Sequence, residues 1–200
     1  MAATARVSDP PKVDAFDLDQ LAALVAVAPL LDLHGRAASL RESWRSAPTV
    51  TGFVRHFGCL FCHEMVDTLV AAIPEIQSRG ARLVVVGNGN VDQARHFFER
   101  RGLPRSGVEV FTDPGRNSYA TAGFERGVAR TFLVPAVWSG YRRARASGQY
   151  NRGVFGDLTQ LGGTFVTRPP ARLSYVHRSR FAGDHPDLAE VLSALPAQLA

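Results

Sequence analysis

Cysteine is nearly absent from this 200-residue chain: Cys59 and Cys62 are the only two. That is too few for a disulfide scaffold. Lysine is scarcer still, with Lys12 standing against 22 arginines, so the net charge of +5 reflects a bias toward Arg and Ala. The arginines are spread along the chain, the densest group being Arg142, Arg143, Arg145 and Arg152, and they lack the interleaved aromatics of a base-stacking surface. Nucleic acid is therefore not an expected partner. Long hydrophobic runs are missing too. The longest candidate, Leu21 to Leu31, is stopped by Asp32, well short of the roughly 20 residues that cross a bilayer. No segment pairs a basic face with a strongly apolar one, so membrane binding is not expected either. The N-terminus carries one Arg and no apolar stretch of the signal-peptide kind, and the expectation is a cytoplasmic protein. What the chain does have is 46% apolar composition, enough to bury a core and to exclude disorder. Residues 1–14 read as a disordered tail and 15–200 as one domain.

The hydrophobic patterning alternates between strand and helix. Leu18 to Val25 has helical spacing, and Leu30 to Leu40 suggests two short extended pieces around His34-Gly35. Thr49 to Phe57, β-branched and aromatic, reads as a strand that ends at Gly58. From Cys62 the residues Met65, Val66, Leu69, Val70 and Ile73 recur at helical offsets, on a helix that Pro74 should kink or end. Arg82 to Gly87 is a continuous apolar run of the kind buried on both faces of a parallel sheet. A helix over 91–101 and a strand at Val108 to Phe111 follow, then short helices near 117–124 and 136–146. Gly163 to Val166 and Arg172 to Val176 suggest an antiparallel pair, and a closing helix over 186–195 would be capped by Asp184. Gly87-Asn88-Gly89-Asn90 lacks the spacing of a phosphate loop and reads as a turn. This order of elements predicts an α/β protein with a central mixed sheet flanked by helices, in the thioredoxin-like arrangement.

Cys59-Leu60-Phe61-Cys62 therefore falls where a strand turns into a helix, with the thiols one turn apart. Unpaired amides and the positive end of the helix dipole stabilise a thiolate there. Cys59 is the candidate nucleophile. Arg55 or His56 could lower its pKa further, although alternation along a strand would let only one of them share a given face. Cys62, deeper in the helix, is suited to attack an oxidised Cys59. Three other readings of the pair are weaker. Two inert core cysteines would not need this placement. The string Cys-Leu-Phe-Cys-His matches c-type haem attachment, which requires export and a distal ligand. A zinc site built from Cys59, Cys62 and two of His56, His63, His96, His177 and His185 lacks a second closely spaced ligand pair. No metal or organic cofactor is expected.

At Phe53-Val54-Arg55-His56-Phe57-Gly58-Cys59-Leu60-Phe61-Cys62-His63-Glu64 the chain resembles the peroxiredoxin-like proteins of the AhpC/TSA superfamily. Leu30 to Leu40, Gln160 to Val166, Tyr175 to Arg178 and Ala182 to Pro186 are similar to the same branch. The resemblance implies a thioredoxin fold and a thiol-based antioxidant oxidoreductase. Its substrate would be a peroxide or endoperoxide, or a disulfide, and its reductant a thioredoxin-like or glutathione-type thiol. In that reading Cys59 becomes a sulfenic acid, Cys62 condenses with it to a redox-active disulfide, and the external dithiol restores both. Two positions depart from the peroxiredoxin pattern P-x-x-x-T-x-x-C, since His56 stands for the Thr and Gly52 for the Pro. A third departure is that Gly162-Gly163 replaces the cis-proline that faces the motif in many such folds. The alternatives are a protein disulfide reductase and a non-catalytic redox-sensing or binding module.

Overall fold

The computed structural model describes residues 15–105, 107–128, 134–151, 153 and 155–197; the expected tail, 1–14, lies outside the described residues, as does Arg152. Helix α1 (Ala15–Val27) leads into a small hairpin of β1 (Leu30–Leu31) and β2 (Ala37–Ala38), followed by α2 (Arg41–Ser46) and β3 (Thr49–Phe53). Next come α3 (Leu60–Ala71), α4 (Ile73–Ser78), β4 (Arg82–Gly87), α5 (Val91–Glu99), β5 (Val108–Thr112) and α6 (Asn117–Thr121). The chain closes with α7 (Pro135–Ala146), β6 (Gly163–Arg168), β7 (Arg172–Arg178) and α8 (Leu188–Ser193). Among the described residues these strands form one sheet in the order β2-β1-β5-β4-β3-β6-β7. The central β3, β4 and β5 run parallel, while β1 and β6 flank them antiparallel.

Strand β4 shows why the sheet is central. Leu83 and Val85 join one apolar cluster, with Val66, Leu69, Ile76 and Phe98, whereas Val84 and Val86 join another, with Trp44, Phe53, Tyr119 and Phe165. Consecutive side chains of a strand point to opposite faces, so a run without polar residues must be covered on both. Helices α3, α4 and α5 supply one cover and α1, α2 and α6 the other. Helix α5 begins with a reciprocal cap in which the Asn90 side chain accepts from Gln93 N and the Gln93 side chain accepts from Asn90 N, satisfying two otherwise orphaned amides.

Several local expectations are corrected. The strand expected to reach Phe57 stops at Phe53, and residues 54–59 form an irregular connection. Of the two outcomes expected at Pro74, a kink or an end, the structure has the end: α3 stops at Ala71 and Pro74 sits in the first turn of α4, where its missing N–H is no loss. Helix α2, with Trp44 fully buried, was not anticipated. Asp184 is not the cap of the last helix. Asp187 takes that role, accepting from Ala189 N at 2.8 Å, because Asp184 is drawn back to Arg180 at 2.9 Å. No helix among the described residues is long and apolar enough to cross a membrane.

Candidate active site

The site forms at the C-terminal ends of β3 and β4, the edge of a parallel sheet where crossover segments gather. Beyond Phe53 the chain makes one further sheet contact, Val54 N to Val86 O at 2.8 Å, and then leaves the sheet. The hydroxyl of buried Tyr119 holds this exit, lying 2.7 Å from Val54 O and 3.1 Å from Val86 O. Because the strand has ended, strand alternation no longer separates Arg55 from His56. Both line the same pocket as Cys59.

Cys59 is the N-cap residue of α3, and its carbonyl accepts from Cys62 N and His63 N at 3.0 and 3.1 Å. Leu60 N, one of the helix's unpaired amides, is taken by Asn151 Oδ1 at 3.1 Å. The two cysteines approach to 3.8 Å, both unbridged and buried, with 4% and 2% of their surfaces exposed. Arg55 joins them in two ways: its Nη1 donates to Cys59 Sγ at 3.3 Å and its backbone N donates to Cys62 Sγ at 3.2 Å. Its guanidinium is fixed by two carbonyls, Gln160 O at 3.1 Å and Leu158 O at 2.6 Å. The His56 ring accepts from Gly58 N through Nδ1 at 3.2 Å, which leaves its proton on Nε2 when the ring is neutral.

These surroundings divide the roles of the two thiols. Hydrogen bonding from Cys62, opposed by burial and assisted by His56 and Arg55, holds the Cys59 thiol well below its ordinary range. Burial, then the neighbouring Cys59, pushes Cys62 well above it. Cys59 is thus the more acidic of the two thiols, the order that a nucleophile and a resolving thiol would need.

Cys59 opens onto a cavity of about 510 Å³. Leu60 and Phe61 of α3, Val137, Trp138 and Tyr141 of α7, and Leu158 give it apolar walls, and Arg55, His56 and Asn151 supply polar lining. Trp138 keeps 64% of its surface exposed. Helix α7 is tied to the cysteine helix by Glu64, which pairs with Arg143 at 2.8 Å and His185 at 3.3 Å. Burial would raise the Glu64 carboxyl, but His185 and Arg143 bring it down to about 2.

Two of the other histidines, His63 and His177, are engaged away from the cysteines. His63 packs against Phe97 with the rings tilted by 44° and meets Arg101 Nη2 at 2.6 Å through Nδ1, while His177 Nε2 lies 3.1 Å from Asp184 O. No group of three or more His, Cys, Asp or Glu side chains among the described residues could hold a metal ion. Gly162 and Gly163 are glycines for packing: a Cβ would fall 1.9 Å from Phe53 O at the first and 2.2 Å from His177 O at the second. The sequence marks Tyr119 not at all and Gln160 only as the start of a segment similar to the family, since neither stands near the cysteines along the chain.

A cysteine pair of this kind on a helix N-terminus, at the edge of a mixed sheet flanked by helices, defines a thioredoxin-fold thiol redox protein. A family model described as AhpC/TSA antioxidant enzyme matches residues 68–180, more than half of the chain and wholly downstream of the cysteines. Peroxiredoxin-like 2C of Homo sapiens is 31% identical over 189 residues, covering 89% of this chain and 81% of that protein. Prostamide/prostaglandin F synthase of Salmo salar is 26% identical over 170 residues, 83% of each. Among solved structures, peroxidoxin BcpB from Mycobacterium tuberculosis superposes with a TM-score of 0.59 at 17% identity, over 83% of this chain and 89% of that one. The chain belongs to the AhpC/TSA family, as the Phe53 to Glu64 motif implied.

Proposed function

We propose that the protein reduces an organic hydroperoxide or endoperoxide through Cys59 and Cys62. The Arg55 guanidinium at 3.3 Å from Cys59 Sγ, facing an apolar cavity, is the observation that carries this reading. The Cys59 thiolate attacks one peroxide oxygen. With a hydroperoxide the O–O bond breaks, Cys59 becomes a sulfenic acid, and the alkoxide leaves to take a proton from solvent. With an endoperoxide, whose oxygens both carry carbon, Cys59 forms a sulfenate ester from which Cys62 later expels the second oxygen as an alcohol. In either case the substrate is reduced by two electrons as the sulfur is oxidised by two. The Arg55 guanidinium offers hydrogen bonds and positive potential beside the reacting atoms and the His56 ring a further hydrogen bond, in place of the Thr that the wider peroxiredoxin pattern uses. The Cys62 thiol then attacks the sulfenic sulfur. A disulfide forms, and the departing hydroxide leaves as water with the Cys62 proton. A thioredoxin-like dithiol, or two equivalents of a glutathione-type thiol, returns both sulfurs to thiols and is itself oxidised to the disulfide, a cycle suited to a reducing compartment such as the cytoplasm.

The cavity favours a bulky apolar substrate over hydrogen peroxide, and a relative named as a prostamide/prostaglandin F synthase is in keeping with an organic one. The test is the rate of oxidation of pre-reduced protein by cumene hydroperoxide and by hydrogen peroxide, followed by mass spectrometry of the tryptic Cys59–Cys62 peptide. The reading expects a faster reaction with the organic peroxide, ending in the intramolecular disulfide. Cys59→Ser should abolish turnover, and full activity in that variant overturns the assignment. Reaction with both peroxides no faster than a free thiol, together with turnover of insulin disulfides, would assign the same dithiol to protein disulfide reduction.

A further inference from the structure

Arg55 is useful to Cys59 only while its guanidinium stays in place, and its two carbonyl anchors, Leu158 O and Gln160 O, lie more than 100 positions away along the chain. That distant loop must be held against the 54–59 connection. Three contacts do so. Phe57 N donates to Phe155 O at 3.0 Å. Gly58 packs so closely on Gly153 that a Cβ would fall 1.9 Å from Gly153 O. The third is Asn88, in the turn after β4 that the sequence marked only as a turn. Its side chain is buried, with 1% of the residue's surface exposed. Asn88 Nδ2 donates to Arg55 O, and Asn88 Oδ1 accepts from Asp157 N at 2.7 Å.

One amide therefore spans the two backbone segments, bonding the peptide of Arg55 on one side and the loop that carries Arg55's anchors on the other. We propose that Asn88 is a positioning residue that holds the Arg55 guanidinium against Cys59 by clasping the 155–160 loop to the Arg55 peptide. Asn88 touches neither sulfur in the hydrogen bonds seen here, so its effect runs through Arg55. An amide suits the position because it offers a donor and an acceptor on one short rigid group. Gly156 is shaped to this contact: a Cβ there would lie 2.1 Å from Asn88 O and 2.3 Å from Asn88 Oδ1, at a φ of +108°.

The inference rests on the pairing of Cys59 with Arg55, and its test reads the thiol rather than turnover, so it stands whether or not the substrate is a peroxide. Reduced protein is alkylated with iodoacetamide from pH 5 to 10 and the Cys59 peptide quantified, for wild type, Asn88→Ala, Arg55→Met and the double variant. Cys62 and His56 also face Cys59 and are left intact in all four proteins. Loss of the clasp should slow alkylation at pH 7 by at least about twofold, the size at which coupling between contacting residues becomes measurable, and move the profile toward higher pH. It should add nothing once Arg55 is already Met. Gly156→Ala, which forces the loop away from Asn88, should reproduce the shift without touching the asparagine. An unchanged profile in Asn88→Ala and Gly156→Ala, or an equal slowing in the Arg55→Met background, overturns the proposal for Asn88. An unchanged profile in Arg55→Met overturns the Cys59–Arg55 pairing beneath it.

Discussion

Replacing Tyr119 by Phe removes one oxygen atom from the fully buried aromatic cluster and leaves the ring packing against Phe53 and Phe124 unchanged. The two carbonyls that the hydroxyl meets are not equally affected. Val86 O keeps a second donor, Val54 N at 2.8 Å, whereas among the described residues Tyr119 is the one hydrogen-bond donor to Val54 O. The loss is then a single buried carbonyl left without a partner, a cost of about 1–3 kcal/mol. In a chain of this size each kcal/mol lowers Tm by about 2–4 °C. Urea unfolding of Tyr119→Phe against wild type measures the first quantity and a thermal scan the second. Tyr175→Phe is the matched control, because Tyr175 OH meets the exposed Glu190 carboxylate at 3.2 Å and water replaces that partner; its cost should stay within about 0.5 kcal/mol. Since Val54 directly precedes Arg55, Tyr119→Phe should also slow alkylation of Cys59. Equal costs for the two tyrosines, or a Tyr119→Phe protein as stable as wild type, would refute the claim that this hydroxyl fixes the exit from β3.

Four further outcomes are expected. Cys62→Ala should shift Cys59 alkylation to higher pH, because the first support of the thiolate is removed, with Cys62→Ser intermediate since a hydroxyl still donates; the alkylation profile used for Asn88 reads both. The same Cys62→Ser protein should undergo one oxidation by peroxide to a trappable sulfenic acid and fail to recycle, as dimedone labelling and mass spectrometry would show. Trp138→Ala should raise KM for cumene hydroperoxide and leave the rate with hydrogen peroxide unchanged, at a stability cost within about 0.5 kcal/mol because the ring is largely exposed. Glu64 has its carboxyl lowered from 4.5 to about 2 in the folded chain, so its contribution to stability is full above pH 4.5 and is lost as the pH falls toward 2. Glu64→Gln should accordingly be less stable than wild type at pH 7 and show a flatter dependence of Tm on pH across that window.

The parts of the molecule legible in the sequence are those written in short-range patterns. The apolar run of β4, the helical offsets after Cys62 and the placement of Cys59 at a strand-to-helix junction each depend on residues within one element, and all appear in the structure. The site beyond the cysteines is written at long range. Arg55 is recognisable beside Cys59, but the atoms that aim it come from residues 103 and 105 positions away, and Tyr119 reaches Val54 across 65. Periodicity carries no information about such pairs. The end of β3 was misplaced for a related reason: Val54 to Phe57 has the composition of a strand, yet Tyr119, Asn88 and Phe155 supply the partners that draw its backbone out of the sheet. Asp184 had the right residue type and spacing for a helix cap, and lost that role to an ion pair with Arg180 four residues earlier.

Cys59 and Cys62 stand at the first turn of one helix, and this fixes how little of the chain their oxidation state can govern. A disulfide between them would close a ring of only four residues. Loop-closure entropy for so short a ring restrains the unfolded chain by about 2 kcal/mol, against nearly 5 kcal/mol for a crosslink spanning a hundred residues. The oxidised protein should therefore gain at most about 2 kcal/mol over the reduced one in urea unfolding, less than half of what a long-range bridge would add. In the proposed cycle such a crosslink would be a carrier of electrons more than a structural brace, and the fold would not have to be remade each time the sulfurs changed partners.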